Sequence, residues 1–201
     1  MHSHGMSRRT ARKRQRTPPG QHEGPTASST AFQPWDGHLR DGHPVHIRPA
    51  CESDVALEKA FVARLTPEAF AQCSLGVIPP NDDSLLDELA DDAMTEVRLL
   101  ALVDVDGRPT AVGLARYRVD EQRANCDCAV AVDPAWRKLG IGSILMHHLI
   151  GMARIQGLRR MYAIDAARDG GAHALAGRLG FRSCPDPADP ASVTFELELP
   201  T

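Results

Sequence analysis

One stretch, Val132 to Arg154, reads VDPAWRKLGIGSILMHHLIGMAR and limits the architectures open to this chain. The residues just before it, Cys126 to Val132, are nearly all apolar or small, as in a strand buried on both faces. Pro134 has no N–H for a ladder and ends that strand. Arg137-Lys138-Leu139-Gly140-Ile141-Gly142 follows. Apolar side chains then recur at Ile144, Leu145, Leu149 and Met152, with His148 among them, on one face of a helix. The order is buried strand, turn, glycine-containing loop and long amphipathic helix.

Such a loop is suited to binding anions. The first N–H groups of a helix lack intrahelical partners, and the helix dipole places partial positive charge there. Gly140 and Gly142 let an anion approach the backbone closely. Arg137 and Lys138 add full charges at the same end, which destabilises a bare helix and suits a bound pyrophosphate. The first glycine of a G-x-G-x-x-G dinucleotide fingerprint is missing, and no Gly-Lys-Ser/Thr of a P-loop follows.

Buried strand, Val-Asp-Pro-Ala-Trp, Arg-x-x-Gly-x-Gly and helix together resemble the acetyl-CoA-binding motif of the GNAT N-acetyltransferase superfamily, and the likeness runs from about Val45 to Phe195. Within it the chain is most similar to the domain of bacterial protein lysine acetyltransferases, through Ile47-Arg48-Pro49-Ala50, Gly113-Leu114-Ala115-Arg116-Tyr117 and Leu179-Gly180-Phe181. The resemblance implies an α/β (α+β) GNAT fold, a mixed, mostly antiparallel sheet with helices on both faces. It implies acetyl-CoA as cosubstrate, held by Arg137, Lys138, Leu139, Gly140, Ile141, Gly142 and Ser143. The backbone of Val130 and Val132 would lie along the pantetheine arm, with the Val130 N–H polarising the thioester. Asp127 stands where the resembled enzymes carry a catalytic glutamate, one methylene longer. Asp169 stands where the family usually has asparagine beside the cofactor, and it can equally cap the helix that follows.

Such a base has a definite task. A free lysine, with pKa near 10.4, is neutral in only roughly one molecule in 2,500 at pH 7. A positioned carboxylate, directly or through a water, must take its proton before the amine can attack. Asp127 is a lone charge among small apolar neighbours, a placement equally open to a solvated strand end.

At 201 residues the chain supports one domain, expected over 42–201, preceded by a disordered basic tail over 1–41. The net charge of −3 is unevenly spread: Met1 to Arg40 carries about +5 and the remainder about −8. The tail's arginines lack interleaved aromatic residues, so nucleic acid is not expected as a partner. No run is long and apolar enough to span a membrane, and no apolar segment follows Arg8-Arg9 as an export signal requires. A cytoplasmic protein is therefore expected. The five cysteines match no zinc spacing, and Cys126 and Cys128 are expected to point to opposite faces of a strand, so no metal is expected.

Along the chain, expected elements are a first strand at Val45–Arg48, a helix capped by Ser53 and reaching Leu65, and short helices over 66–73 and 85–92. A hairpin of Val97–Val105 and Thr110–Tyr117 turns at Asp106-Gly107. Strands at Met161–Ile164, Phe181–Cys184 and Val193–Leu199 and a helix at Asp169–Leu179 complete the order. Acidic residues 82, 83, 87, 88, 91 and 92 could draw a basic acceptor or simply face solvent. The expected activity is acetyl transfer from acetyl-CoA to an amine, foremost a protein lysine. The alternatives are a small-molecule amine, or an acyl-CoA-sensing module without catalysis.

Overall fold

A computed structural model of the chain describes residues 33–65, 96–166, 170–185 and 191–200. Its strands are β1 Trp35–His38, β2 Pro44–Pro49, β3 Glu96–Val105, β4 Arg108–Val119, β5 Asn125–Val132, β6 Arg160–Ala166, β7 Arg182–Pro185 and β8 Ser192–Glu198. Its α-helices are α1 Val55–Val62, α2 Ile141–Ile155 and α3 Gly170–Leu179. The strands form one sheet in the order β1-β2-β3-β4-β5-β6-β8-β7. Among the described strands only β5 and β6 pair in parallel; every other neighbouring pair is antiparallel.

Local chemistry accounts for the long central hairpin. Asp106 and Gly107 adopt φ of 54° and 76°, giving a two-residue turn whose twist matches that of β3 and β4. Alternation then divides the core in two. Residues Cys126 and Cys128 of β5 join Tyr117, Leu145, Leu149, Met161 and Phe195 beneath α2. Ala131, on the other face, joins Phe61, Leu65, Leu100 and Leu114 beneath α1. Gly113 on β4 lets α2 come close: a Cβ there would stand 2.7 Å from Ile141 Cγ2 and 2.9 Å from Leu145 Cδ1.

Several expectations need correction. The tail boundary at 41 falls inside ordered structure, because Trp35–His38 pairs with β2 and the Trp35 ring packs 5.5 Å from that of His148 on α2. An alternating strand anchored by one aromatic is easily lost beside a long polar segment. Ser53 does not cap a helix. A short 3₁₀ turn, Glu52–Asp54, precedes α1, and the capping group is Asp54, whose carboxylate accepts the Cys51 N–H at 2.8 Å. Cys126 and Cys128 share a face, as residues two apart on a strand must. Both are buried in the larger cluster, and burial pushes both thiols up, Cys126 to about 12, away from the thiolate a metal would need. The short helices expected over 66–73 and 85–92, and the acidic residues between 82 and 92, lie outside the described residues, as does Asp169.

Candidate active site

The central feature is a split in the sheet. β5 stays with β4 as far as Val132, and β6 stays with β8 from Arg160 to Ala166. The ladder between β5 and β6 has only three rungs and ends at Asp127 opposite Tyr162. Past that rung a cleft of about 550 Å³ opens, with Val130 and Val132 on one wall and Ala163 and Ile164 on the other. Gly171, Ala172 and Leu175 of α3 line it from the side, and the loop before α2 closes one end. Parallel strands that part over a helix N-terminus form a natural ligand crevice.

That loop is shaped for an anion. Lys138 and Gly140 take positive φ, 65° and 99°, on either side of Leu139. Gly140 is the N-cap of α2 and has no side chain to cap the first turn; its carbonyl accepts the Ile144 N–H at 3.0 Å. The N–H groups that open α2 are left for a ligand. A Cβ on Gly142 would reach Leu175 Cδ2 at 3.5 Å and Val132 Cγ2 at 3.6 Å, so the protein tolerates the atom sterically and the missing side chain leaves the space to a guest. Arg137, Lys138, Gly140, Ile141, Gly142 and Ser143 all line the cleft; Leu139 does not, and packs instead against the core.

Asp133 fixes the turn that feeds the loop. This buried carboxylate accepts the Ala135 N–H at 3.0 Å and Arg64 Nε at 2.8 Å, while its own N–H donates to Val112 O at 3.0 Å. Because Arg64 lies just beyond α1, one side chain ties the turn to the helix on the opposite face of the sheet. Nothing local in the sequence marks Asp133, since only the fold brings Arg64 to it.

Asp127 stands at the apex, on the last β5–β6 rung and on the face opposite Cys126 and Cys128. Its carboxylate is 55% exposed and pairs with Arg116 Nη1 at 3.2 Å and Arg118 Nε at 3.8 Å. Two cations thus fix where the carboxylate lies. Tyr162 is its neighbour across the rung. Asp127 therefore marks the point where the strands part, on the α1 face of the sheet, and Val130 lies between it and the glycine loop along β5.

A strand pair that splits over a glycine-rich helix N-terminus, with a carboxylate at the apex, defines an acyl-CoA-dependent transferase of the GNAT class. Residues 62–181 match the family model described as the Acetyltransferase (GNAT) family, and the chain belongs to that family. It is 37% identical over 166 residues to Acetyltransferase PA5475 of Pseudomonas aeruginosa, covering 82% of this chain and 89% of that one. Among solved structures it is similar to the GNAT domain of S. lividans PAT, with TM-score 0.70 and 20% identity over 83% of this chain and 97% of that one. It is also similar to yncA of Salmonella typhimurium, solved with its cofactor acetyl-CoA, with TM-score 0.58 and 23% identity over 78% and 95%. The chain is an acetyltransferase of this family. Among the described residues no helix is long and apolar enough to cross a membrane.

Proposed function

We propose that the chain transfers the acetyl group of acetyl-CoA to an amine, with a protein lysine as the acceptor and Asp127 as the group that receives the amine's proton. The observation that carries this reading is the position of Asp127 on the last rung before the cleft opens. The residues fit an acyl-CoA. The loop offers Arg137, Lys138 and open helix N–H groups for the diphosphate, Gly142 leaves room for it, and β5 offers the backbone of Val130 and Val132 to the pantetheine arm. When bound, the cosubstrate supplies an activated acetyl thioester. The Val130 N–H is proposed to polarise that carbonyl, and Asp169 to lie beside the cofactor at the start of α3. Arg116 and Arg118 keep the Asp127 carboxylate in place while it takes the proton, directly or through a water.

A small acceptor is the second reading, and Arg118 favours it. Its side chain is 48% exposed beside Asp127, where it could meet a carboxylate on a small amine. Free thiols at Cys51, Cys126, Cys128 and Cys184 suit the reducing cytoplasm proposed as the site of action.

The test is acetyl transfer to a panel of lysine peptides and small amines. Asp127→Asn should lower turnover by roughly 10²–10⁴-fold with acetyl-CoA affinity little changed. Raising the pH should recover part of that loss, since more acceptor is already neutral. Turnover equal to the parent at pH 7 would place the proton elsewhere. Tight acetyl-CoA binding with no transfer to any acceptor would favour the sensing module.

A further inference from the structure

The cations at the cleft's closed end do not all come from the glycine loop. Arg40 also lines the cleft, although it precedes the first strand expected from sequence. Three contacts set its position. Leu39 is buried in the larger core cluster. The Arg40 N–H donates to Leu139 O at 3.1 Å, which joins the β1–β2 turn to the anion loop. The His43 ring packs edge-on against Trp136, with centroids 5.4 Å apart. The turn itself is closed by the Leu39 N–H to His43 O at 2.8 Å and the Gly42 N–H to Leu39 O at 2.9 Å, with Gly42 at φ 90°.

The side chain then runs over the helix N-terminus. A Cβ on Gly140 would stand 3.7 Å from Arg40 Nε and 3.8 Å from its Cγ. Nη1 reaches the Lys138 carbonyl at 3.5 Å, a long contact that leaves most of the guanidinium's donors for another acceptor. Three full positive charges, Arg40, Arg137 and Lys138, therefore border the helix end that already carries the positive pole of its dipole. Among the described residues no acidic side chain lines this cleft, so a polyanionic guest would balance the cluster.

We propose that Arg40 is a diphosphate-binding residue, supplied to the acyl-CoA site by the β1–β2 turn as a second arm beside the glycine loop. The proposal rests on the reading of the cleft as the acyl-CoA site. Its location over Gly140 assigns it to the diphosphate rather than to the 3′-phosphate at the far end of the nucleotide.

Isothermal calorimetry on the full chain tests it, with CoA and 3′-dephospho-CoA as probes. Arg40→Gln should weaken both by about tenfold or more, the range of one charge-assisted contact, and Arg40→Lys should restore part of the loss. The melting temperature of the Arg40→Gln variant should stay near the parent's. Unchanged CoA affinity in Arg40→Gln, with Gly142→Asp abolishing binding, would overturn the Arg40 assignment and leave the cleft reading intact. A loss with CoA that disappears with 3′-dephospho-CoA would overturn the diphosphate assignment. A parent chain that binds neither probe would overturn both.

Discussion

Single residues act here through the polar partners that the folded backbone brings to them. Arg48 shows the pattern. As Ile47-Arg48-Pro49-Ala50 it contributes to a family resemblance, and in the fold its guanidinium grips Asp54 at 2.6 and 2.7 Å. Asp54 is buried, and that grip holds its carboxyl well below the usual carboxylate range, with the Cys51 N–H adding to the effect. The folded state thus binds this proton less readily than the unfolded one. The stabilisation is therefore complete above the unfolded value near 4 and is lost progressively as pH falls from there through the depressed folded value. Asp54→Asn should cost about 3 kcal/mol at pH 7, since it leaves Arg48 without its counter-charge. Urea midpoints for variant and parent should keep their gap from pH 7 to about 5 and draw together only as pH falls below about 4, toward the depressed folded value; a gap that stays constant down to roughly pH 2 would mean the carboxylate is not the source. Asp127 was legible as a candidate because a lone carboxylate stands out on an apolar strand. Its ion pairs were not, because register alone brings Arg116 and Arg118 to it.

At the scale of elements, sequence and structure agree best where a pattern is long and periodic. The amphipathic face of α2 was readable, and Leu145 and Leu149 are fully buried as that face requires. The β3–β4 hairpin announced itself through Asp-Gly. Element ends were less legible. β1 is four residues long, and the capping role of Asp54 depends on Arg48 and Cys51 being folded beside it. The split between β5 and β6 has no local signal at all, because it arises from which outer partner each strand keeps. Two glycines separate packing from binding. Gly113→Ala should destabilise the fold by about 1–3 kcal/mol, because its methyl would press on the buried Ile141 and Leu145. Chemical denaturation would show it, and an unchanged midpoint would mean that α2 shifts freely over the sheet. Gly140 is a poor probe of binding alone, since any side chain at φ 99° is strained whatever the ligand. Gly142 has no such strain and is the cleaner position.

Over the whole molecule, the sheet works as two half-sheets joined by three rungs at the apex, β1 to β5 on one side and β6, β8 and β7 on the other. Helices α2 and α3 cover the face where the cleft lies, and α1 covers the other, where Asp127 stands. The N-terminal boundary matters for this arrangement. A chain starting at residue 33 should melt like the full chain, because the composition of residues 1–32 gives them no core to lose. A chain starting at Val45 also lacks Trp35, Leu39 and Arg40, and should melt roughly 5–10 °C lower. Equal melting of the two would show that β1 adds nothing to the fold.

Acetyl-CoA is proposed to bind in the split of the sheet, where the loop at residues 137–143 closes one end. Isothermal calorimetry of acetyl-CoA with the full chain and with Gly142→Asp tests it most directly. The parent should bind at one site and the variant not at all, with both folded by circular dichroism, because the new carboxylate would fill the diphosphate's place and repel it. A folded Gly142→Asp variant that binds acetyl-CoA as tightly as the parent would contradict it.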